Sequence, residues 1–495
     1  MNTAQDFPFS LIQSLTSVEK RAFKQHCQQH IKKGGSIHLD LFEAILRQNQ
    51  PDDTSLVTSF PHTNLPAAKN RLYFALLRTL SRHHTASDTA ATHQQLLHAV
   101  RILRDKKLYP QALKLLRSLE KKARRTDQHV QLLELSHLRM QLFNLHRSPH
   151  LLQDMQEVHH QHRKWAAIVH QEEALHATLE LLQTLTDKRR RQKQGEMDIS
   201  QIEQAPELAE KPLSFIAAKL QTQIRAVIAI SKGQFETALE AYAHSNSPWH
   251  ARPELIPHHS ELYMRHQLNH LNACLVSKDP IRFQSVLQAT KAQFHQLTGD
   301  LSRHQRRFFY IELVFCLNFG NEAQGAALLK DITAWLDGSA SDIEDYDLLP
   351  FLHNCAIFHF LHSNFRSALP FLNRIRNIPK TPRQEGIQLF APILEIILHY
   401  ELGNHDYIES RLRALTRNPR KLSPYHKRIA KFFKGILRLA SPAELVAGIG
   451  ELQGELDVLA GKQPPTGHFE IRFWLESRLR RVPVKRIYEE ALAGR

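Results

Sequence analysis

Gly233-Gln234-Phe235-Glu236-Thr237-Ala238-Leu239-Glu240-Ala241-Tyr242 is the stretch whose reading decides the fold. A glycine, free to take positive φ, stands where one helix must end. An aromatic, a small residue and a second aromatic follow it within one helical run. This is the pattern of the second helix of an antiparallel hairpin. The small residue lets two helices approach closely, and the aromatic before it plugs the gap to the next hairpin. The stretch therefore predicts a turn at Gly233 and a helix beyond it.

Weaker copies recur along the chain. Lys107-Leu108-Tyr109-Pro110-Gln111-Ala112-Leu113 and Ser363-Asn364-Phe365-Arg366-Ser367-Ala368-Leu369 keep the aromatic and the Ala-Leu pair. Gly403–Tyr407, Gly320–Gly325 and Asp279–Val286 are partial copies. Ala112, Ala238, Val286, Gly325, Ala368 and Ser410 mark the place three residues after the aromatic. After a first interval of about three periods, the markers recur roughly every 42 residues, the sign of a stacked array. Two degenerate hairpins are expected inside that first interval. A lone hairpin cannot bury its apolar faces, so stacking must supply the core.

These residues resemble the tetratricopeptide repeat family, whose second helix opens with a comparable Gly-x-aromatic-x-x-Ala pattern. The resemblance spans residues 90–435, with a period longer than the family's roughly 34 residues, which implies longer helices. It implies a right-handed α-solenoid of antiparallel hairpins whose first helices line a concave surface. Counting back about fifteen residues from each marker, a little over four helical turns, places Gln223, Tyr310, His353 and Glu395 on that surface. Arg307 and His399 lie one turn away. These six are the expected partner-binding residues.

Composition agrees with a helical chain. Among 495 residues there are only 17 glycines, 42% are apolar and 23% are charged, and good helix formers dominate. All-α is the expected class. A helical cap is expected over residues 1–82, with three helices opened by the capping box Thr16-Ser17-Val18-Glu19. A polar linker over 83–91 follows, the repeats run over 90–435, and a second helical cap fills 436–495. Thr381-Pro382, Ser423-Pro424 and Ser441-Pro442 mark further helix starts. From Asp187 to Pro212 the pattern lapses, and a basic helix end running into a surface loop is expected.

The four cysteines, Cys27, Cys274, Cys316 and Cys355, are scattered through apolar runs. They read as buried free thiols in a reducing compartment. The amino terminus lacks the basic and apolar regions of a secretory signal, and no run reaches the ~18 apolar residues of a membrane span. A cytoplasmic protein without membrane contact is expected.

His159-His160-Gln161-His162 has no thiolate or carboxylate at ligand spacing and reads as a solvated helix face. Asp342, Glu344, Asp345 and Asp347 fail as a calcium loop, because Asp347 stands where glycine is required. Nucleotide-binding and hydrolase motifs are absent, so no cofactor, no metal and no enzymatic activity are expected. The net charge of +16 favours acidic partners. Basic clusters recur at Lys121–Arg125, Lys188–Lys193, Arg303–Arg307, Arg411–Lys421 and Lys427–Lys434. The expected function is a scaffold or adaptor that binds a protein or peptide. Nucleic-acid binding through the basic clusters is the alternative.

Overall fold

The computed structural model describes residues 7–29, 37–85, 89–146, 150–192, 199–294, 297, 302–319, 322–339, 345–379, 385–416, 423–436, 442–461 and 465–493. Of these, 87% are helical and none is in a strand. The all-α expectation holds. The signals at Thr381 and Ser441, the residues Asp342 and Glu344, Gly320 of the partial copy, and Lys193, Arg417, Arg420 and Lys421 of the basic clusters lie outside the described residues.

The chain divides into two compact units, residues 1–169 and 170–495. The first opens with α1 (Phe7–Ser14), α2 (Ser17–Gln29), α3 (Ile37–Leu46), α4 (Asp53–Ser59) and α5 (Leu65–Thr85). Five helices stand where three were expected, because α1 and α4 are too short to show a period. Thr16 and Glu19 form the predicted capping box, with Thr16 N–H donating to Glu19 Oε2 at 2.7 Å and Glu19 N–H to Thr16 Oγ1 at 3.3 Å. Ile12, Phe23, Phe42, Leu72 and Leu76 make the core beneath them. The described residues of the expected linker are helical: α5 runs to Thr85 and α6 (Thr89–Asp105) begins within it. A second core joins α6 to α7 (Tyr109–Arg125), α8 (His129–Leu145) and the first part of α9 (Leu151–Gln192).

In the interval where two degenerate hairpins were expected, α8 packs back on the first part of α9, with His129 stacked on Trp165 and Ser136 Oγ 2.9 Å from His162 Nδ1. One continuous helix, α9, runs for 42 residues through that interval. Beyond it, α10 (Ser200–Glu203) and α11 (Pro206–Ala209) are single turns that bury Ile202 and Leu208. This segment, expected as a surface loop, anchors to the core through apolar residues too few to give a periodic signal.

The second unit continues through α12 (Phe215–Ser231), α13 (Phe235–Ala251), α14 (Ser260–Val276), α15 (Pro280–Gln293), α16 (Ser302–Asn318) and α17 (Glu322–Ser339). Next come α18 (Asp345–Leu361), α19 (Phe365–Asn377), α20 (Glu385–Glu401) and α21 (His405–Thr416). The unit closes with α22 (Pro424–Ile436), α23 (Pro442–Ala460), α24 (His468–Arg480) and α25 (Val484–Ala493). Each helix from α12 to α15 and from α18 to α25 packs on the next, and α14, α16, α18 and α20 also pack side by side.

One turn recurs between the packed pairs. Lys107, Asp127, Gly233, Lys278, Ser363 and Gly403 all have positive φ, from 48° to 78°. In each case the next residue's N–H donates to the carbonyl five residues back, at 2.8–3.0 Å. This is the Schellman closure, which satisfies a carbonyl left open at the helix end. Every quoted copy of the opening pattern starts a helix: α7, α13, α15, α17, α19 and α21.

Two markers are out of register. Counted from the left-handed residue, the place of Ala238 is held by Phe283 in α15 and Ile408 in α21, both 0% exposed, rather than by Val286 and exposed Ser410. The turn fixes the register, and Tyr407 is not the aromatic that matches Phe235. Phe283 can fill a place otherwise held by a small residue because it lies flat on Phe315, with ring centroids 4.1 Å apart.

Candidate functional site

The helices preceding these turns in the second unit are its most enclosed elements. α14 and α18 have partners on several sides, and only single residues break their burial. Thr222 and Arg225 on α12, Glu261 and Arg265 on α14, Arg307 and Tyr310 on α16, and Asn354 on α18 keep contact with solvent.

The expected site residues divide against this pattern. Gln223 is fully buried, and Glu395 and His353 are 4% and 8% exposed. Arg307 is exposed and donates to Asn269 Oδ1 at 2.7 Å, and Tyr310 is 36% exposed. His399 is half-buried, with its ring 3.9 Å from that of Tyr407. Where the count reached Gln223 and His353, the neighbouring Thr222 and Asn354 face solvent. One residue is a 100° rotation on a helix of 3.6 residues per turn.

The fold brings Glu395 and His399 together around Tyr407. The Glu395 carboxylate meets Arg376 at 3.2 Å and Arg411 at 2.7 Å and accepts from the Tyr407 hydroxyl. Asn404 Nδ2 lies 3.0 Å from His399 Nδ1. Burial lowers the His399 pKa, and the neighbouring Glu395 works against that shift. Burial, aided by the hydrogen bond to Glu395, raises that of Tyr407. Two guanidiniums and a phenol on one buried carboxylate make a joint between α19, α20 and α21.

A second polar seam crosses α12, α13 and α14. Lys219, 4% exposed, donates to the carbonyl and hydroxyl of Ser245. Gln267 donates to Asn246 at 2.8 Å, and Asn246 lies 2.9 Å from His270 Nδ1. Tyr242, the aromatic that closes the opening pattern, stacks on His270 and meets His266 edge-on.

Burial dominates the electrostatics here. It lowers the Lys219 pKa to about 8. It takes His266 to about 3, with help from His270 and Lys219, and His270 to about 4, with help from Arg282. These groups sit inside helix interfaces, where they fix the relative setting of three helices and are not offered to a dissolved substrate. Sequence reasoning missed this seam. Its only signal was the pair His266 and His270, one helical turn apart.

Many cations of the basic clusters are already paired. Arg428 meets Glu451 and Glu455, Arg411 meets Glu395, and Arg413 meets Glu409. By contrast, Lys114, Arg117 and Lys121 on α7 stand exposed along one face, as do Lys427, Lys431 and Lys434 on α22. All four cysteines are free and buried. Among the described residues no group of three or more His, Cys, Asp or Glu side chains is placed to hold a metal ion, and no helix is long and apolar enough to cross a membrane. Comparison with protein-family models, curated proteins and solved structures finds no match for this chain.

Proposed function

We propose that the chain is a tetratricopeptide-like α-solenoid acting as a non-enzymatic scaffold, with a protein or peptide bound along the face of its first helices. The recurring left-handed turn carries this reading. Measured from that turn, equivalent buried positions fall at Ala238, Phe283, Ala368 and Ile408, separated by about 45, 85 and 40 residues, one, two and one periods within the range of repeat arrays. First-helix packing from α14 through α20 supports the same view. On this reading residues 1–82 and 436–495 flank the repeats as caps, and the free, buried thiols suit a cytoplasmic setting.

The partner-facing residues are then those that keep contact with solvent: Arg225, the Glu261–Arg265 pair, Arg307, Tyr310 and Asn354. Their net positive charge suits an acidic partner. Alanine at Arg225, Arg265 and Tyr310 together is expected to abolish partner capture while circular dichroism stays unchanged. Undiminished capture by that variant sinks the assignment of this face.

A second reading has its own observation. Lys114, Arg117 and Lys121 form an exposed basic line on α7, which suits contact with nucleic-acid phosphates. Binding through three phosphates would give a slope of about −2 to −3 in log affinity against log salt. A flat salt response excludes it.

A further inference from the structure

The face formed by the first helices is not bare along its length. The last two helices of the chain lie on it. Gly467, with φ +86°, rests against the ring of Phe390 near the start of α20. Trp474, fully buried, stands between Tyr400 of α20 and Phe433 of α22. Its indole N–H donates to Glu401 Oε1 at 2.6 Å. One turn later, Arg478 pairs with the other oxygen of the same carboxylate. Helix α24 thus runs beside α20. The chain then turns back at Arg481, and α25 packs on α18, with Tyr488 Oη donating to Asn318 of α16 at 3.0 Å. One hairpin touches the first helices of four successive pairs.

We propose that this face is a binding site for an amphipathic helix bearing an aromatic N–H donor and, one turn later, a cation, and that α24–α25 is its occupant in cis. The proposal rests on the scaffold reading and adds the kind of partner and its regulation. Glu401 is the reading residue. Its side chain is 7% exposed, so its two oxygens need donors supplied by whatever helix lies there. A helix placing Trp and Arg or Lys four residues apart supplies both.

Release of the hairpin would uncover Ile471, Trp474, Leu475 and Val484, all buried in the core of the unit, so the partner helix must bury equivalent side chains. The hairpin joins α23 through Gly461 and Gly467, both at positive φ. A partly open pocket of about 90 Å³ lies where α25 meets the ends of α16 and α18, lined by Asn318, Phe319, His362, Lys485 and Tyr488. A partner helix therefore competes with α24–α25, and the free chain is held closed until it arrives.

Hydrogen exchange on the full chain tests the closure. Amides of α24 and α25 are expected to exchange together at least 10-fold faster than those of α18 and α20. The double variant Arg478→Ala, Tyr488→Phe should widen that gap about 10-fold without changing α12–α14. Equal protection in the wild type, lost only with the whole unit, overturns the proposal and makes the hairpin an integral cap.

A fluorescent peptide of residues 465–493 tests the recognition. It should bind the double variant at least 10-fold more tightly than the wild type, and Trp474→Ala within the peptide should remove the gain. A peptide that binds both chains equally, or neither, also overturns the proposal. Successful exchange of this peptide together with failed capture of any cellular protein would refute only the scaffold reading.

Discussion

Mild acid should loosen the second unit, because histidines are buried there in neutral form. His266, His270 and His353 are 1%, 3% and 8% exposed, and burial sets their pKa values to about 3, 4 and 4. Neither ring nitrogen of His266 has a hydrogen-bond partner of good geometry, while Lys219 and His270 oppose its charging. A histidine with a lower pKa folded than unfolded binds fewer protons when folded. Its contribution is therefore complete above pH 6.5 and is lost as pH falls toward about 4. From pH 8 to pH 5 each such residue gives up about 2 kcal/mol, so the three give up about 6 kcal/mol. Relaxation and water entry reduce this to about 3–6 kcal/mol, a large share of a typical stability of about 5–15 kcal/mol. Urea midpoints at pH 8, 6.5 and 5 measure the loss directly. His266→Leu removes one titrating group and two poorly partnered nitrogens, so it should flatten the acid limb by about 1–2 kcal/mol. A wild-type change under about 0.5 kcal/mol between pH 8 and 5, or a variant that titrates like the wild type, would refute the reasoning.

Four substitutions probe the packing of the pairs. Gly233→Ala meets nothing within 4 Å but must hold φ +78°, so it should cost about 1 kcal/mol by denaturation. Ser363→Gly, at φ 58°, should gain a similar amount. At Gly325 a Cβ would stand 2.2 Å from the Phe358 ring. Gly325→Ala should therefore lose about 1–3 kcal/mol through overpacking, read as a lowered Tm. Glu395→Gln leaves Arg376 and Arg411 facing a neutral group, so a loss of about 3 kcal/mol is expected in urea unfolding. No change there would show the joint to be solvated.

How far the sequence could be read depended on the length of each signal. Helices of seventeen residues such as α12 and α14 carry several turns of apolar pattern, and the helical class follows from them. The left-handed turn was visible at Gly233 and Gly403, where glycine is the natural residue for positive φ. It was hidden at Lys107, Asp127, Lys278 and Ser363, where the helix closure holds ordinary residues in that conformation. Phe283 and Ile408 escaped notice because packing accepted a large residue where the pattern asked for a small one. The same one-position sensitivity put Gln223 and His353 on the surface in the count and inside in the fold. The seam of Lys219, Tyr242, His266 and His270 is assembled from three helices, and beyond the His266–His270 pair no local spacing announces such a meeting. The contact of Trp474 and Arg478 with Glu401 joins residues more than 70 positions apart, far beyond any periodic signal.

The scaffold account is tested most directly by capturing the tagged full chain from its native lysate, with and without nuclease. The Arg225→Ala, Arg265→Ala, Tyr310→Ala variant is run beside the wild type. The account predicts one protein partner in both wild-type samples and none with the variant. Nucleic acid in the untreated sample, with its companion proteins lost on nuclease treatment, would contradict it and favour the basic line on α7.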